Sequence, residues 1–118
     1  MGNVQKLAVV FGIVLLAVGI LGFVPSLTTD GMLFGIFEVD NMHNGVHLLT
    51  GVLALVAVTN ASYTKLYFKI FGVIYAIVAV WGFVADGNVL MMHMNMADNV
   101  LHAVIAVVAL FAGFMMAA

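Results

Sequence analysis

Four apolar stretches, each close to twenty residues long, divide this chain and leave little polar sequence between them. A helix that crosses a bilayer needs about 20 mostly apolar residues. By that rule the stretches cover roughly residues 4–24, 42–59, 65–85 and 97–117. Only 7% of the residues are charged, against about 25% in a soluble domain, so the chain cannot cover a water-facing surface with polar groups. The expected fold class is therefore all-α: an integral membrane four-helix bundle forming a single domain over residues 1–118. The net charge of −2 offers no basic surface to nucleic acid, and the lack of Cys excludes disulfides, thiolate metal sites and thiol nucleophiles. The first run, flanked by Lys6, reads as a span and not as a signal peptide. It is too long for a signal core, no small-x-small cleavage site follows it, and it recurs later in the chain.

That recurrence organises the sequence. Phe11-Gly12 matches Phe71-Gly72, and Gly22-Phe23-Val24 matches Gly82-Phe83-Val84, at one constant offset. At a slightly smaller offset Asp40 matches Asn95, His43 matches Asp98, Asn44 matches Asn99 and His47 matches His102. The expected architecture is two tandem transmembrane hairpins, repeat one over 4–59 and repeat two over 64–117. Spans one and three run the same way, as do two and four. The repeat is then parallel, with a pseudo-twofold axis along the membrane normal, and both polar clusters lie on one membrane face.

Lys6, Lys65 and Lys69 all fall at the N-terminal ends of spans one and three. The positive-inside rule makes that side cytoplasmic, with both termini inside. The other side gathers Asp30, Glu38, Asp40, Asp86, Asp98 and all four histidines. Tyr63 and Tyr67 are expected in the inner interfacial belt and Trp81 in the outer one. Small residues recur at helical spacing: Ala8, Gly12 and Gly19; Gly72, Ala76, Ala79 and Gly82; Ala103, Ala106 and Gly113. Lipid provides no hydrophobic drive for helix association, so close backbone approach at such positions is expected to hold the bundle together. Pro25 should stop span one. Asp40 and Asn95 are expected as N-caps of spans two and four, because a short oxygen-bearing side chain can accept from a free N–H of the first turn. The segments 32–37 and 89–94 are too apolar to float in water, and should lie at the interface or fold over the bundle mouth.

Several motifs carry a family resemblance. They are Leu33-Phe34-Gly35-Ile36-Phe37, the run His43-Asn44-Gly45-Val46-His47-Leu48-Leu49-Thr50-Gly51, and Ala97-Asp98-Asn99-Val100-Leu101-His102. Together they resemble a bacterial four-span membrane family of unknown function, domain of unknown function 4383, over nearly the whole chain. The resemblance implies a small integral protein of the bacterial inner membrane and no established activity. The second half has Ala106 where the first has Gly51, so the halves need not pack identically.

His43 and His47 are four residues apart, as are Asp98 and His102, a spacing that puts each pair on one helix face. If spans two and four meet near the pseudo-twofold axis, His43, His47, Asp98 and His102 converge as metal ligands. Zn²⁺ is the default, with Cu or Fe next. Asn44 and Asn99 are then expected behind the ligands, fixing an imidazole tautomer. A competing reading makes the same groups a polar network that only ties the hairpin mouths together, in a structural or interaction subunit. A further alternative is haem b between His47 and His102, with Gly51 and Ala106 leaving room for the ring. Polar crowding by His43 and Asp98 and the lack of Arg for the propionates argue against it.

Other readings are weaker. Below His47 and His102, only Thr50 and Thr59 are polar in spans two and four, too few for a proton path. His93 sits among Met91, Met92, Met94 and Met96, a set that suits Cu(I), although such Met is more often adaptable filler. Glu38 and Asp40 invite acid/base chemistry, but nothing provides a nucleophile or an oxyanion site, so an enzyme is the less expected reading. The expected partners are the bilayer and a second copy of the chain or another membrane protein.

Overall fold

The computed structural model describes residues 1–118. Helix α1 (Asn3–Leu21) is followed by two short 3₁₀ turns and a hairpin of strands β1 (Met32–Leu33) and β2 (Phe37–Glu38). Helices α2 (Asn41–Ala57) and α3 (Ala61–Val84) come next, then strands β3 (Asn88–Val89) and β4 (Met92–His93), then α4 (Met96–Phe114). The protein is all-helical apart from these two small hairpins. Three helices, α1, α3 and α4, are long and apolar enough to cross a membrane. The second expected span is the shortest of the four. The Asp40 cap opens α2 and a turn at Thr59 closes it, leaving 17 residues. At about 1.5 Å per residue these reach roughly 25 Å, less than a hydrocarbon core of about 30 Å.

Local chemistry sets the helix ends. Asp40 accepts the His43 N–H at 2.8 Å. Asn95 accepts the Asp98 N–H at 2.9 Å, and Asp98 returns the bond by accepting the Asn95 N–H at 3.1 Å. This reciprocal pair satisfies two donors that the first turn leaves free. Asn60, not singled out from the sequence, caps α3 by accepting the Ser62 N–H at 2.8 Å. Helix α1 stops at Leu21, and Pro25 opens the first 3₁₀ turn.

Packing inverts the pattern of a soluble bundle. Large apolar side chains such as Val14, Leu49, Val56, Val80 and Val107 face outward, whereas the buried stripe of α2 is His43, Asn44, His47, Thr50, Gly51, Ala54 and Ala57. A water-soluble protein rarely exposes so continuous an apolar surface; lipid is the solvent that makes it favourable. Helices α1 and α2 pack antiparallel through their smallest residues. A methyl group on Gly12 would come within 2.9 Å of the Gly51 carbonyl oxygen, and one on Gly51 within 2.9 Å of Leu16. In the α3–α4 pair, Gly72 lies against Leu110 and Gly113 against Lys69. The chief apolar cluster, including Val4, Ala8, Ala54, Phe68 and Ala109, fills the end of the bundle nearest the N-terminus. Tyr63 is exposed, but Tyr67 is not the belt residue expected of it. It is buried, and its hydroxyl donates to the Thr50 carbonyl at 2.8 Å.

The apolar loops fold over the mouth as hairpins. Strands β1 and β2 pair Met32 with Glu38 and Leu33 with Phe37, and β3 and β4 pair Asn88 with His93 and Val89 with Met92. Each hairpin is entered through an Asp-Gly pair in the left-handed region, Asp30-Gly31 and Asp86-Gly87. Asp tolerates that conformation better than most residues, and Gly adopts it freely. Leu33 and Val89 turn inward and are buried, at 1% and 0% exposure.

A buried three-histidine centre

Three of the four expected ligands converge. The Asp40 cap starts α2 so that His43 and His47 fall on its inward face one turn apart. The cap on α4 does the same for His102. The Nε2 atoms of His43 and His102 lie 3.4 Å apart. The rings of His43 and His47 are centred 4.5 Å apart, and those of His47 and His102 6.0 Å apart. One ring nitrogen from each of the three imidazoles falls within a sphere in which no pair is separated by more than 4.8 Å. All three side chains are buried, with exposures of 1–3%.

Asp98, the fourth expected ligand, is not in this group. It is buried, and its carboxylate is directed to the start of its own helix, where it accepts the Asn95 N–H. Asn44 and Asn99 do not hydrogen-bond to the imidazoles. The Asn44 amide donates to the Gly22 carbonyl at 2.8 Å, and Asn99 packs against Gly82. Each asparagine thus sits at the joint between its helix and the one before it. The room for a haem ring foreseen at Gly51 is also taken, because that face of Gly51 lies against Leu16 of α1.

The imidazoles are poorly satisfied. His43 Nδ1, both nitrogens of His47 and His102 Nδ1 are buried without a hydrogen-bond partner, as are the side-chain oxygens of Asn44 and Asn99. Buried polar atoms in folded proteins are nearly always bonded, and leaving one unbonded costs about 1–3 kcal/mol. Tyr75 lies beside the centre, its ring 5.6 Å from that of His102. Its hydroxyl is within 3.1 Å of the Thr50 hydroxyl, which also donates to the His47 carbonyl at 3.2 Å. Neither residue was foreseen at the site. A lone Tyr in the middle of an apolar span was the available signal, since its hydroxyl needs a buried partner.

Above the centre the two hairpins are joined. His93 Nδ1 and Glu38 Oε2 are 2.8 Å apart, and Asn95 donates through its side-chain amide to the Ile36 carbonyl at 2.8 Å. The bond to the Glu38 carboxylate, with its charge, raises the pKa of the exposed His93 above the ordinary histidine value of 6.5. His93 is therefore a lid residue and not part of the three-histidine group.

Apolar helices able to cross a membrane, closed around buried imidazoles, define a small helical membrane protein with a three-histidine centre. Residues 5–115 match the family described as Domain of unknown function (DUF4383), and the chain belongs to that family. No curated protein and no solved structure matches it.

Proposed function

We propose that the protein binds one transition-metal ion between His43, His47 and His102, near the outer face of a bacterial inner membrane. The observation that carries this reading is the convergence of three buried imidazoles, each with a ring nitrogen within 4.8 Å of the others, where His43 and His102 share only a 3.4 Å contact and His47 has no hydrogen bond at all. If these histidines served only to lock the bundle, they should be bonded to it. Metal coordination would give each imidazole a partner through one ring nitrogen, because a neutral imidazole nitrogen is a strong ligand for Zn²⁺, Cu and Fe²⁺. Asn44 and Asn99 would then act through the helix joints that set the tilt of α2 and α4.

In this reading α2 also crosses the membrane, shortened where the hairpins cap it, and both termini are cytoplasmic. The halves are a tandem repeat. The pairing of Asn44 with Gly22 and of Asn99 with Gly82, and the matched Asp-Gly entries to the two hairpins, support this. The apolar outer faces are where a second copy or another membrane protein would pack. A purely structural subunit is the second reading. The Glu38–His93 and Asn95–Ile36 bonds favour it, since they join the hairpins without any metal.

Elemental analysis of the purified chain, with His47→Ala and His102→Ala variants alongside, separates the two. Stoichiometric metal in the wild type, lost in both variants, supports the centre. No bound metal, together with no thermal shift on adding Zn²⁺ or copper, leaves the structural reading.

A further inference from the structure

A cavity of about 130 Å³ adjoins the centre, and its walls include His43, His47, His102, Tyr75, Met92 and Met94. Along the segment 92–94 the side chains alternate, as a strand requires. Met92 and Met94 are buried, at 7% and 3% exposure, while His93 between them faces out to Glu38. The thioethers thus share a cavity with three imidazoles from α2 and α4, and the imidazole adjacent to them in sequence is elsewhere.

The softness of the donors decides what such a cavity would hold. Thioether sulfur is a weak ligand for Zn²⁺ but a good one for Cu(I). The Tyr75 hydroxyl, paired with Thr50, leaves sulfur as the remaining donor on the cavity wall.

We propose that the centre is selective for Cu(I), with a thioether from Met92 or Met94 joining the imidazoles of His43, His47 and His102. This rests on the three-histidine reading and adds to it the oxidation state and the sulfur ligand.

The test uses the full chain in detergent, loaded with Cu(I) under anaerobic reducing conditions and titrated with a coloured Cu(I) chelator. X-ray absorption then reports the ligand shell. One Cu(I) per chain is expected, with both nitrogen and sulfur neighbours. A Met92→Leu, Met94→Leu double variant should lose the sulfur shell and bind Cu(I) more weakly by about tenfold or more, with its affinity for Zn²⁺ unchanged. Leu nearly matches Met in volume, so the fold should survive the exchange, which its helical circular dichroism will check. A nitrogen-only shell in the wild type, or undiminished Cu(I) affinity in the double variant, overturns the proposal and makes the methionines packing alone. If instead His47→Ala and His102→Ala bind Zn²⁺ and Cu(I) as the wild type does, the three-histidine reading itself falls.

Discussion

His43 Nε2 stands 3.4 Å from His102 Nε2, two ring nitrogens from different helices meeting with no stronger partner for either. That separation is longer than a good N–H···N or N–H···O bond of about 2.7–3.2 Å, so the contact by itself stabilises little. An ion that binds only the folded arrangement would stabilise it by mass action, about 2.7 kcal/mol when present at a hundred times its Kd. Thermal unfolding in detergent should therefore shift upward with added metal in the wild type and stay put in His47→Ala and His102→Ala. A variant that keeps the full shift would show that the ion sits elsewhere.

The asparagine joints make a separate, metal-independent prediction. A methyl group on Gly22 or Gly82 would overlap the side-chain amide of Asn44 or Asn99. Asn44 is itself held by its bond to the Gly22 carbonyl, so it cannot swing aside freely. Gly22→Ala should destabilise the bundle by about 1–3 kcal/mol, the usual cost of overpacking, and Gly82→Ala by less, because no hydrogen bond holds Asn99 in place. Gly45 is the internal control, because nothing lies within 4 Å of a methyl group placed there. In the middle of a helix Gly45→Ala should stabilise by about 0.5–1 kcal/mol. Denaturant titrations of the three variants give the comparison, and similar effects in all of them would rule out the joint.

Much of this was readable in the sequence because apolar run length and cap chemistry are local properties. The caps at Asp40 and Asn95 and the facing of His43 with His47 follow from spacing alone. Asp98 misled because two local rules compete at its position. Four residues before His102 it looks like a ligand, but three residues after Asn95 it completes a reciprocal cap, and the cap holds it. Asn44 and Asn99 could not be placed without knowing which helix each would touch. Their partners, Gly22 and Gly82, were visible only as markers of similarity between the halves. The hairpins were missed for another reason. Runs such as Met32–Leu33 are too short for alternation to register, and the Asp-Gly pairs that turn the chain into them are the one local signal of a turn there. The shortness of α2 was legible too, because the apolar run expected at 42–59 is the shortest of the four and already ends at Thr59.

The lid gives a pH dependence whose sign is fixed by His93. Its folded pKa is raised above 6.5 by the bond to Glu38. The stability it contributes is therefore fully present below about pH 6.5 and is lost as pH rises through the folded pKa. The pair is solvent-exposed, so the effect on global unfolding should be small. The local effect is clearer: Glu38→Gln should return the His93 titration, followed by NMR of the ring protons, towards 6.5. A titration unchanged by that substitution would remove Glu38 as the cause.

Orientation can be measured with unusual economy, because the chain contains no Cys and any one introduced is the sole thiol. Ser26, in the 3₁₀ turn before the first hairpin, and Ser62, at the start of α3, are both exposed and differ from Cys by one atom. They lie at opposite ends of the helices. If the lysines mark the cytoplasmic side, Ser26→Cys should react with a membrane-impermeant maleimide added to intact spheroplasts, and Ser62→Cys should react only after lysis. The outcome also bears on the metal. His43, His47 and His102 lie at the same end of the bundle as Ser26, so labelling there from outside would put the centre within reach of ions on the outer side. Labelling of Ser62→Cys from outside would turn the protein over and make the cytoplasm the source of any metal.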